Sequence, residues 1–458
     1  MHSKPSPRIN AALAPMFAAL LLCLVAAPAS RAEMCALDVV PAATLLLPYF
    51  EVDLDDLDNP NNLNTFFTIN NASSEPTLAH VTFWTDYAIP TLDFDIFLTG
   101  YDVQVVELRL VFAGSLPVTA DEQTDPLDLI SPHGLNPEWD GSFTAPPNCE
   151  NFFPFDNPVI PGQNLDRLVN GHTGRPISVT GKCAGSATGD NIARGYITID
   201  NARRCSIEFP NYPGYFGGLD PVAVDENWLW GDFLIQNPSQ GLSVRDSLVH
   251  IEADPSFDGS TTSSGYTFYG SYTGGLDHRE PLSTQWGARY MTGDSLATDL
   301  IIWRDPTTSI VEDSGYECGQ SPPWEPLQQT SVLCFNEQED FNEVCNGPGD
   351  ACFPLATQRT QVDAGDFTTP FESGWCLLDL THDDSFEGDV DFPSEGSPLA
   401  QSYVFSVFNQ AADPGGLSVS TSRAVSLGSA CTLPTSFSDI FADGFESGDT
   451  SNWSATQP

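Results

Sequence analysis

Short runs of β-branched and aromatic residues recur along almost the whole chain, and each is bounded by Gly, Pro, Asn, Asp or Ser. Such runs are typical of strands, and the residues between them are typical of turns. The helical spacing of apolar residues is nearly absent. The sequence therefore predicts an all-β protein with one or more β-sandwich-like domains, long loops, a Cys-rich insertion and very little helix.

The clearest strand signal is TFFTINNASSEPTLAHVTFWTD, in which two runs flank a polar turn from Asn71 to Pro76. We expect these two runs to form a hairpin. The stretch ATLLLPYFEV contains Pro48, which suits an edge strand or a strand start because proline has no amide hydrogen to donate. Further strands are expected over 94–98, 103–112, 195–200, 228–235, 247–252, 266–272, 299–303 and 403–408.

Changes in composition along the chain indicate how it is divided. Cysteines, acids and prolines concentrate in one segment with little alternation, which we interpret as an insertion into the second of two β domains. The expected parts are a signal peptide over 1–32, an N-terminal β domain over 33–220, a second β domain over 221–312 and 361–431, a Cys-rich insertion over 313–360 and a C-terminal tail over 436–458.

The first 32 residues have the pattern of an export signal. Lys4 and Arg8 give a positive start, and the apolar run over 11–27 is short for a bilayer span. Small residues at Ser30 and Ala32 predict cleavage before Glu33. No later stretch is apolar for long enough to form a transmembrane helix. We therefore expect a secreted protein, periplasmic or extracellular, with no integral membrane segment after cleavage.

The cysteines agree with export. The chain has 11 cysteines, and all but Cys23 follow the predicted signal peptide. An even number in an oxidising compartment favours disulfides, and no C-x-x-C pair indicates zinc. Cys345 and Cys352 bracket the turn-rich NGPGDA and are expected to close a small loop, whereas spacing leaves the other pairings open. The disulfide candidates are Cys35, Cys149, Cys183, Cys205, Cys318, Cys334, Cys345, Cys352, Cys376 and Cys431.

Acidic residues dominate the charge, with 62 Asp and Glu against 16 Lys and Arg and a formal charge of −46. This charge opposes binding to nucleic acid or to anionic lipid, because both carry the same sign. Two interpretations stay open, adaptation to saline or cation-rich surroundings and ordinary acidic solubility.

Two candidate sites follow from short motifs. GDSL at 293–296 is similar to the nucleophile block of a lipase and esterase family, and the catalytic residues would be Ser295, His382 as the base and Asp379 as its orienting group. The motif lies late in a β-rich chain and before another strand, whereas that family places its serine near the start of an α/β domain. The second candidate is a dense acidic loop that predicts either a calcium site or a solvated turn. Its carboxylates are Asp53, Asp55, Asp56 and Asp58.

Two segments resemble known groups of proteins. The stretch ATLLLPYFEVDL, with TLAHVTFWTDYAIPTLDFDIFLTGYDVQ and WGARYMTGDSLATDLIIWRD, resembles a family of uncharacterised secreted bacterial proteins. The terminal DGFESGDTSNWS is similar to a tail on other exported proteins of Gram-negative bacteria. The first resemblance implies no activity, and the second implies an address or a surface-attachment element, so that the chain is a possible envelope component.

These observations together favour a secreted or cell-envelope protein of unknown function with a non-catalytic binding or structural role. The alternative is a secreted serine esterase or other hydrolase that uses Ser295. No cofactor is expected apart from the possible calcium, and no partner can be named from the sequence.

Overall fold

The computed structural model describes residues 39–117, 149, 151–255, 267–270, 276–293, 296–306, 315–320, 322, 325–345, 351–363, 367–381, 401–411 and 417–427. The predicted signal peptide and C-terminal tail lie outside these residues. Within them the chain forms 19 strands and two helices, which confirms the all-β class. None of the helices in this part of the chain is both long and apolar enough to span a bilayer.

The strands in chain order are β1 (Thr44–Asp53), β2 (Asn64–Asn71), β3 (Thr77–Thr85), β4 (Pro90–Leu98), β5 (Val103–Glu107), β6 (Ile192–Ala202), β7 (Leu229–Trp230), β8 (Asp232–Asn237), β9 (Leu242–Ser247), β10 (Val249–Ile251), β11 (Gln285–Met291), β12 (Leu296–Arg304), β13 (Ser331–Phe335), β14 (Phe341–Val344), β15 (Thr357–Gln361), β16 (Ser373–Asp379), β17 (Ser402–Ala411), β18 (Leu417–Arg423) and β19 (Val425–Ser426). The helices are α1 (Leu108–Phe112) and α2 (Gly162–His172).

The strands pair in antiparallel fashion into four sheets. Sheet I has the order β10-β1-β6-β3-β4, and sheet II has the order β14-β13-β16-β11-β19. Sheet III has the order β15-β12-β17-β18. Sheet IV has the order β5-β2-β8-β9, and β7 also pairs with β2.

Sheet I is buried on both faces along most of its length. One face carries an apolar row of residues that are paired in register across four strands, namely Leu45, Ile199, Val81 and Phe94. The opposite face carries a polar row, described below, because successive side chains of a strand point to opposite sides. Two layers of structure must therefore cover this sheet.

Aromatic and ionic contacts join the sheets into one core. Trp286 of sheet II packs edge-on against Tyr403 of sheet III, with ring centroids 5.5 Å apart. Sheets I and III are linked by Arg359, whose guanidinium lies 3.2 Å from the carboxylate of Glu51 and also bonds Asp299. The described residues from 39 onward accordingly belong to one compact unit.

The predicted hairpin is wrong. Both runs form strands, β2 and β3, with the turn between them as expected. However, β2 pairs with β5, β7 and β8 in sheet IV, whereas β3 pairs with β4 and β6 in sheet I. Strand β3 is buried on both faces and lies in the interior of sheet I, between β6 and β4, so the turn carries the chain from one sheet to another.

Other elements differ from the expected strands. The run over 103–112 forms only β5, after which the chain turns into α1 and buries Leu108, Val111 and Phe112. Residues 267–270, within an expected strand, form a turn and no strand. Pro48 lies where the register of β1 shifts, beyond the three residues that pair with β10, so its missing amide hydrogen leaves no gap in that ladder.

Strand pairing crosses the boundary expected at residue 220. Strand β8 pairs with β2, and β10 pairs with β1, so segments from both sides of residue 220 share sheets I and IV. The Cys-rich segment 313–360 also supplies strands, because β13 and β14 form part of sheet II and β15 pairs with β12 in sheet III.

Four disulfides link described residues of the fold. One of them joins Cys345 and Cys352, as their spacing suggested. The other pairs are Cys149–Cys205, Cys183–Cys318 and Cys334–Cys376. Cys35 and Cys431 lie outside the described residues. These pairs are consistent with an oxidising compartment.

We predict that removing a disulfide lowers the free energy of unfolding more when the loop that the disulfide closes is longer. Replacing Cys183 and Cys318 by serine should lower the free energy of unfolding by about 5 kcal/mol, whereas the same change at Cys345 and Cys352 should cost about 2.5 kcal/mol. The physical reason is that a separation of 135 residues leaves more freedom in the unfolded chain than a separation of 7. Urea unfolding of the two double variants checks the order, and a reversed order would contradict it.

Candidate functional site

An open groove of about 560 Å³ crosses the outer face of sheet II. Apolar side chains and two glycines line most of it, with a few polar groups among them. A concave site of this composition is the usual form of a ligand site, which makes the groove the candidate functional site. Its lining includes Gly287, Arg289, Asn336, Glu337, Gly374 and Trp375.

The register of sheet II places a guanidinium and three aromatic rings in one row. Arg289 is opposite Trp375, Trp375 is opposite Phe335, and Phe335 is opposite Phe341. Residues directly opposite one another share a face of the sheet. The row therefore points outward, while the alternate residues of β11, such as Trp286, are buried against sheet III.

Trp375 forms one wall of the groove. Its ring stacks on Phe335 with centroids 4.8 Å apart and an interplanar angle of 17°. Phe335 therefore supports the ring of Trp375. The adjacent pair in register is Cys334 and Cys376, whose disulfide joins the same two strands. The indole is thus held in place by both its stacking partner and the strands beneath it.

Gly374 is required where the groove meets β13. A Cβ atom at this position would lie 1.7 Å from the carbonyl oxygen of Phe335 and 3.1 Å from the hydroxyl oxygen of Tyr290. Only a residue without a side chain permits this approach of β16 to β13.

Arg289 is exposed, and its guanidinium has no ion-pair or hydrogen-bond partner within the described ranges. Several other arginines have a carboxylate at ion-pair distance, as Arg109, Arg194 and Arg423 do. The donors of Arg289 are therefore available to a ligand.

The backbone of β11 beside the groove is already hydrogen-bonded. Strand β19 pairs with only Trp286 and Gly287. Beyond them, the Thr298 hydroxyl accepts a hydrogen bond from Met291 N and donates one to Met291 O. The Ser406 hydroxyl donates to the carbonyl oxygen of Arg289. Recognition in the groove consequently depends on side chains.

A second constellation is buried on sheet I. Thr44, Asp200, His80 and Asp95 are paired in register across β1, β6, β3 and β4, and each has no exposed surface. Asp200 accepts hydrogen bonds from Tyr215 at 2.9 Å and from Tyr269 at 3.0 Å, and from Thr44. Burial raises the pKa of both tyrosines well above the ordinary value, so they stay protonated as donors.

Arg279 contacts Asp200 and Thr44 of this polar row. Its Nε lies 3.6 Å from Asp200 and donates to Thr44 at 2.6 Å, and its terminal nitrogens donate to the carbonyl oxygens of Asp277 and Val224. The guanidinium also lies 4.8 Å from the ring centroid of Phe216. A buried cation is tolerated only when its donors are satisfied in this way. The row is therefore structural, with no open face for a substrate.

His80 is held in the same row by Asp95, with Nδ1 2.8 Å from the carboxylate oxygen. Burial disfavours the imidazolium, but the Asp95 carboxylate outweighs burial and raises the pKa of His80 to about 9. His172 has the opposite environment, because burial lowers its pKa to about 4. Its Nδ1 donates to the carbonyl oxygen of Arg194, and its Nε2 accepts from Thr91. Both histidines are packed residues, as the scattered spacing of histidines suggests.

The residues of the esterase hypothesis are not found together in the described structure. Ser295 and His382 lie outside the described residues. Asp379 lies at the end of β16, where its carboxylate accepts from the Gln285 side chain at 2.8 Å and from the Thr381 amide at 3.2 Å. Both partners are structural, and no histidine forms an ion pair with this carboxylate within the described part.

The acidic loop between β1 and β2 is a hydrogen-bonded turn. Asp53 accepts from the Asp55 amide, and Asp55 accepts from the side chain of Asn191 at 2.7 Å. Asp55, Asp56 and Asp58 are exposed. No group of three or more His, Cys, Asp or Glu side chains is arranged to hold a metal ion in the part of the chain that the structure describes. The geometry favours the solvated turn over the calcium site.

Sequence reasoning did not identify the groove residues. Strand alternation contained one usable signal, because Trp375 is adjacent to Cys376 and points to the opposite face. If the cysteine is assigned to the core, the indole must point outward. The pairing partners of β16 could not be read in the same way, since they come from β11 and β13, which are distant along the chain.

We predict that His80 makes stability depend on pH in the alkaline range. In the unfolded chain a histidine titrates near 6.5. The contribution of the pair with Asp95 is therefore complete below about pH 6.5 and is lost as the pH rises through the folded-state pKa of about 9. Between pH 7.5 and 9 the free energy of unfolding should fall by about 2 kcal/mol.

Urea unfolding of the wild type and of His80→Gln over this pH range tests the prediction. The variant should be less stable at pH 7.5 and should show a flatter dependence on pH. If the free energy of unfolding depends on pH equally in both proteins, a group other than His80 titrates, which would contradict the prediction.

We also predict that the acidic loop does not bind calcium. The melting temperatures in 1 mM calcium chloride and in excess chelator should differ by less than about 1 °C, because a cation that does not bind the folded state cannot stabilise it. Differential scanning fluorimetry at fixed ionic strength gives the measurement, with magnesium chloride as the control for screening of charge. A melting temperature that rises in calcium and not in magnesium would contradict the prediction and would indicate a calcium site at Asp53 to Asp58.

The chain matches no protein-family model and no curated protein. Its function must therefore be argued from the groove on sheet II and from the chemistry of the residues that line it.

Proposed function

We propose that this chain is an exported, non-catalytic binding protein that holds its ligand in the groove on the outer face of sheet II. The observation that carries the proposal is that the indole of Trp375, stacked on Phe335, lines the groove together with the guanidinium of Arg289, which has no partner among the described residues. Such a combination of an apolar surface and a few available polar groups supports binding.

Export is proposed on the pattern of the first 32 residues together with the four described disulfides. The resemblance to secreted bacterial proteins and the tail resembling an attachment element fit the same proposal, with the cell envelope or the medium as the location. The acidity of the chain is compatible with this location and argues against polyanionic partners.

A non-catalytic role is proposed because the groove lacks an arrangement for general acid–base or nucleophilic chemistry. Among the described residues, Glu337 is the only acid in its lining, and no histidine or cysteine belongs to that lining. The buried row around His80 and Asp200 has charged groups but no exposed surface. The esterase alternative has no supporting contact among the described residues.

We expect the purified protein to bind at least one member of a panel through the groove and to cleave no ester. The panel contains peptidoglycan sacculi, neutral polysaccharides and acidic polysaccharides, with binding measured by sedimentation or affinity electrophoresis. Trp375→Ala should lose the binding, whereas Trp230→Ala, which removes an indole 42% exposed on β7, should keep it.

Hydrolysis of 4-nitrophenyl acetate and butyrate is measured beside the binding. We expect equal background rates for the wild type and for Ser295→Ala. Turnover that is lost in Ser295→Ala would establish the esterase alternative. Binding that survives in Trp375→Ala for every member of the panel would contradict the groove as the site.

A further inference from the structure

Resting on the proposed function, we infer that the groove binds a neutral glycan, with a sugar ring packed against Trp375 and its hydroxyl groups bonded to Arg289 and Glu337. The inference depends on three properties of the groove, which are its indole, the charged groups in its lining, and the charge of the protein.

The indole face of Trp375 is suited to the apolar side of a sugar ring. Phe335 stacks on the ring of Trp375, and Trp375 lines the groove. The C–H groups on one side of a hexose form a flat apolar patch of similar size, which packs on an aromatic face and is removed from water.

The polar groups of the lining match hydroxyl groups. Arg289 has donors only, and Glu337 has acceptors only. The side-chain amide of Asn336 is bonded within its own turn, to the Asp340 carboxylate and to the amides of Gln338 and Asp340. A sugar hydroxyl donates one hydrogen bond and accepts others, so it uses both kinds of partner. A purely aliphatic ligand would leave Arg289 and Glu337 without partners and would gain only apolar contact.

The charge of the protein distinguishes a neutral glycan from an acidic one. Glu337 lies in the groove with Arg289, so the lining carries one charge of each sign and no surplus of positive charge. The chain as a whole has a formal charge of −46, which repels a polymer of carboxylates, sulfates or phosphates. A neutral polymer meets no such repulsion.

The edge of β11 argues against a peptide that adds to sheet II as a strand. Recognition of that kind uses free backbone amides and carbonyls at a sheet edge. At β11 the carbonyl oxygens of Arg289 and Met291 and the amide of Met291 are bonded to Ser406 and Thr298. Side-chain recognition of a glycan needs none of these groups.

The test uses the full-length exported protein and isothermal titration with soluble oligosaccharides. The neutral probes are cellohexaose, maltohexaose, laminarihexaose and chitohexaose, and the acidic probes are hexamers of galacturonate and of guluronate. We expect binding to at least one neutral hexamer with a dissociation constant that is unchanged between 50 and 500 mM sodium chloride, since no ion pair is formed.

The variants locate the binding. Trp375→Ala and Arg289→Ala should each weaken it ~10-fold or more, through loss of the stacking surface and of charged donors respectively. Trp230→Ala and Arg245→Ala are the matched controls, because they remove an exposed indole and an exposed guanidinium from other sheets, and they should bind as the wild type does. Circular dichroism confirms that each variant is folded.

The outcomes separate this inference from the proposed function. Binding of an acidic hexamer alone, lost in Trp375→Ala, would overturn the neutral glycan and leave the groove as a binding site. Binding of peptidoglycan sacculi but of no hexamer, again lost in Trp375→Ala, would do the same. If no probe binds in a manner that depends on Trp375, both the inference and the proposed function are overturned.

Discussion

The buried carboxylate of Asp200 is the constraint on which much of the structure depends. It lies in the middle of a sheet that is covered on both faces, so it must find all its partners inside the protein. They come from distant parts of the chain, namely Thr44 on β1, Tyr215 and Tyr269 in two connecting segments, and Arg279. These long segments fold back over sheet I because a carboxylate left without donors there would cost several kcal/mol.

Sheet II differs from sheet I, since within the described part of the chain Arg289 and Phe341 of its outer row are exposed. Its inner residues pack on sheet III, and its outer row presents Arg289, Trp375, Phe335 and Phe341. The disulfide between β13 and β16 fixes the two strands that hold the stacked rings. A binding surface fixed before the ligand arrives loses less conformational freedom on binding. The disulfide-linked pair of strands thus also carries the aromatic wall of the groove.

Local sequence patterns identified the elements better than they identified the partners of those elements. The runs that form β2 and β3 were recognised from composition. Their expected pairing was wrong, because β2 pairs with β8 and β3 pairs with β6, in two different sheets. The expected strand over 103–112 ended early, since Leu108, Val111 and Phe112 bury together at helical spacing. The Cys-rich segment showed little alternation, although β13 and β14 complete the edge of sheet II. For the candidate site, strand alternation predicts only that the side chain of Trp375 points outward.

The sequence by itself determined that the chain is built of strands, that its cysteines can pair and that its charge repels polyanions, because these properties depend on residue type and on neighbours along the chain. Only the tertiary structure decided which strands are adjacent, since pairing joins segments through backbone groups that every residue has. The groove exists only because of this arrangement of strands. Arg289, Trp375 and Asn336 become neighbours only when β11, β16 and β13 lie side by side in one register, where burial of the other face holds them.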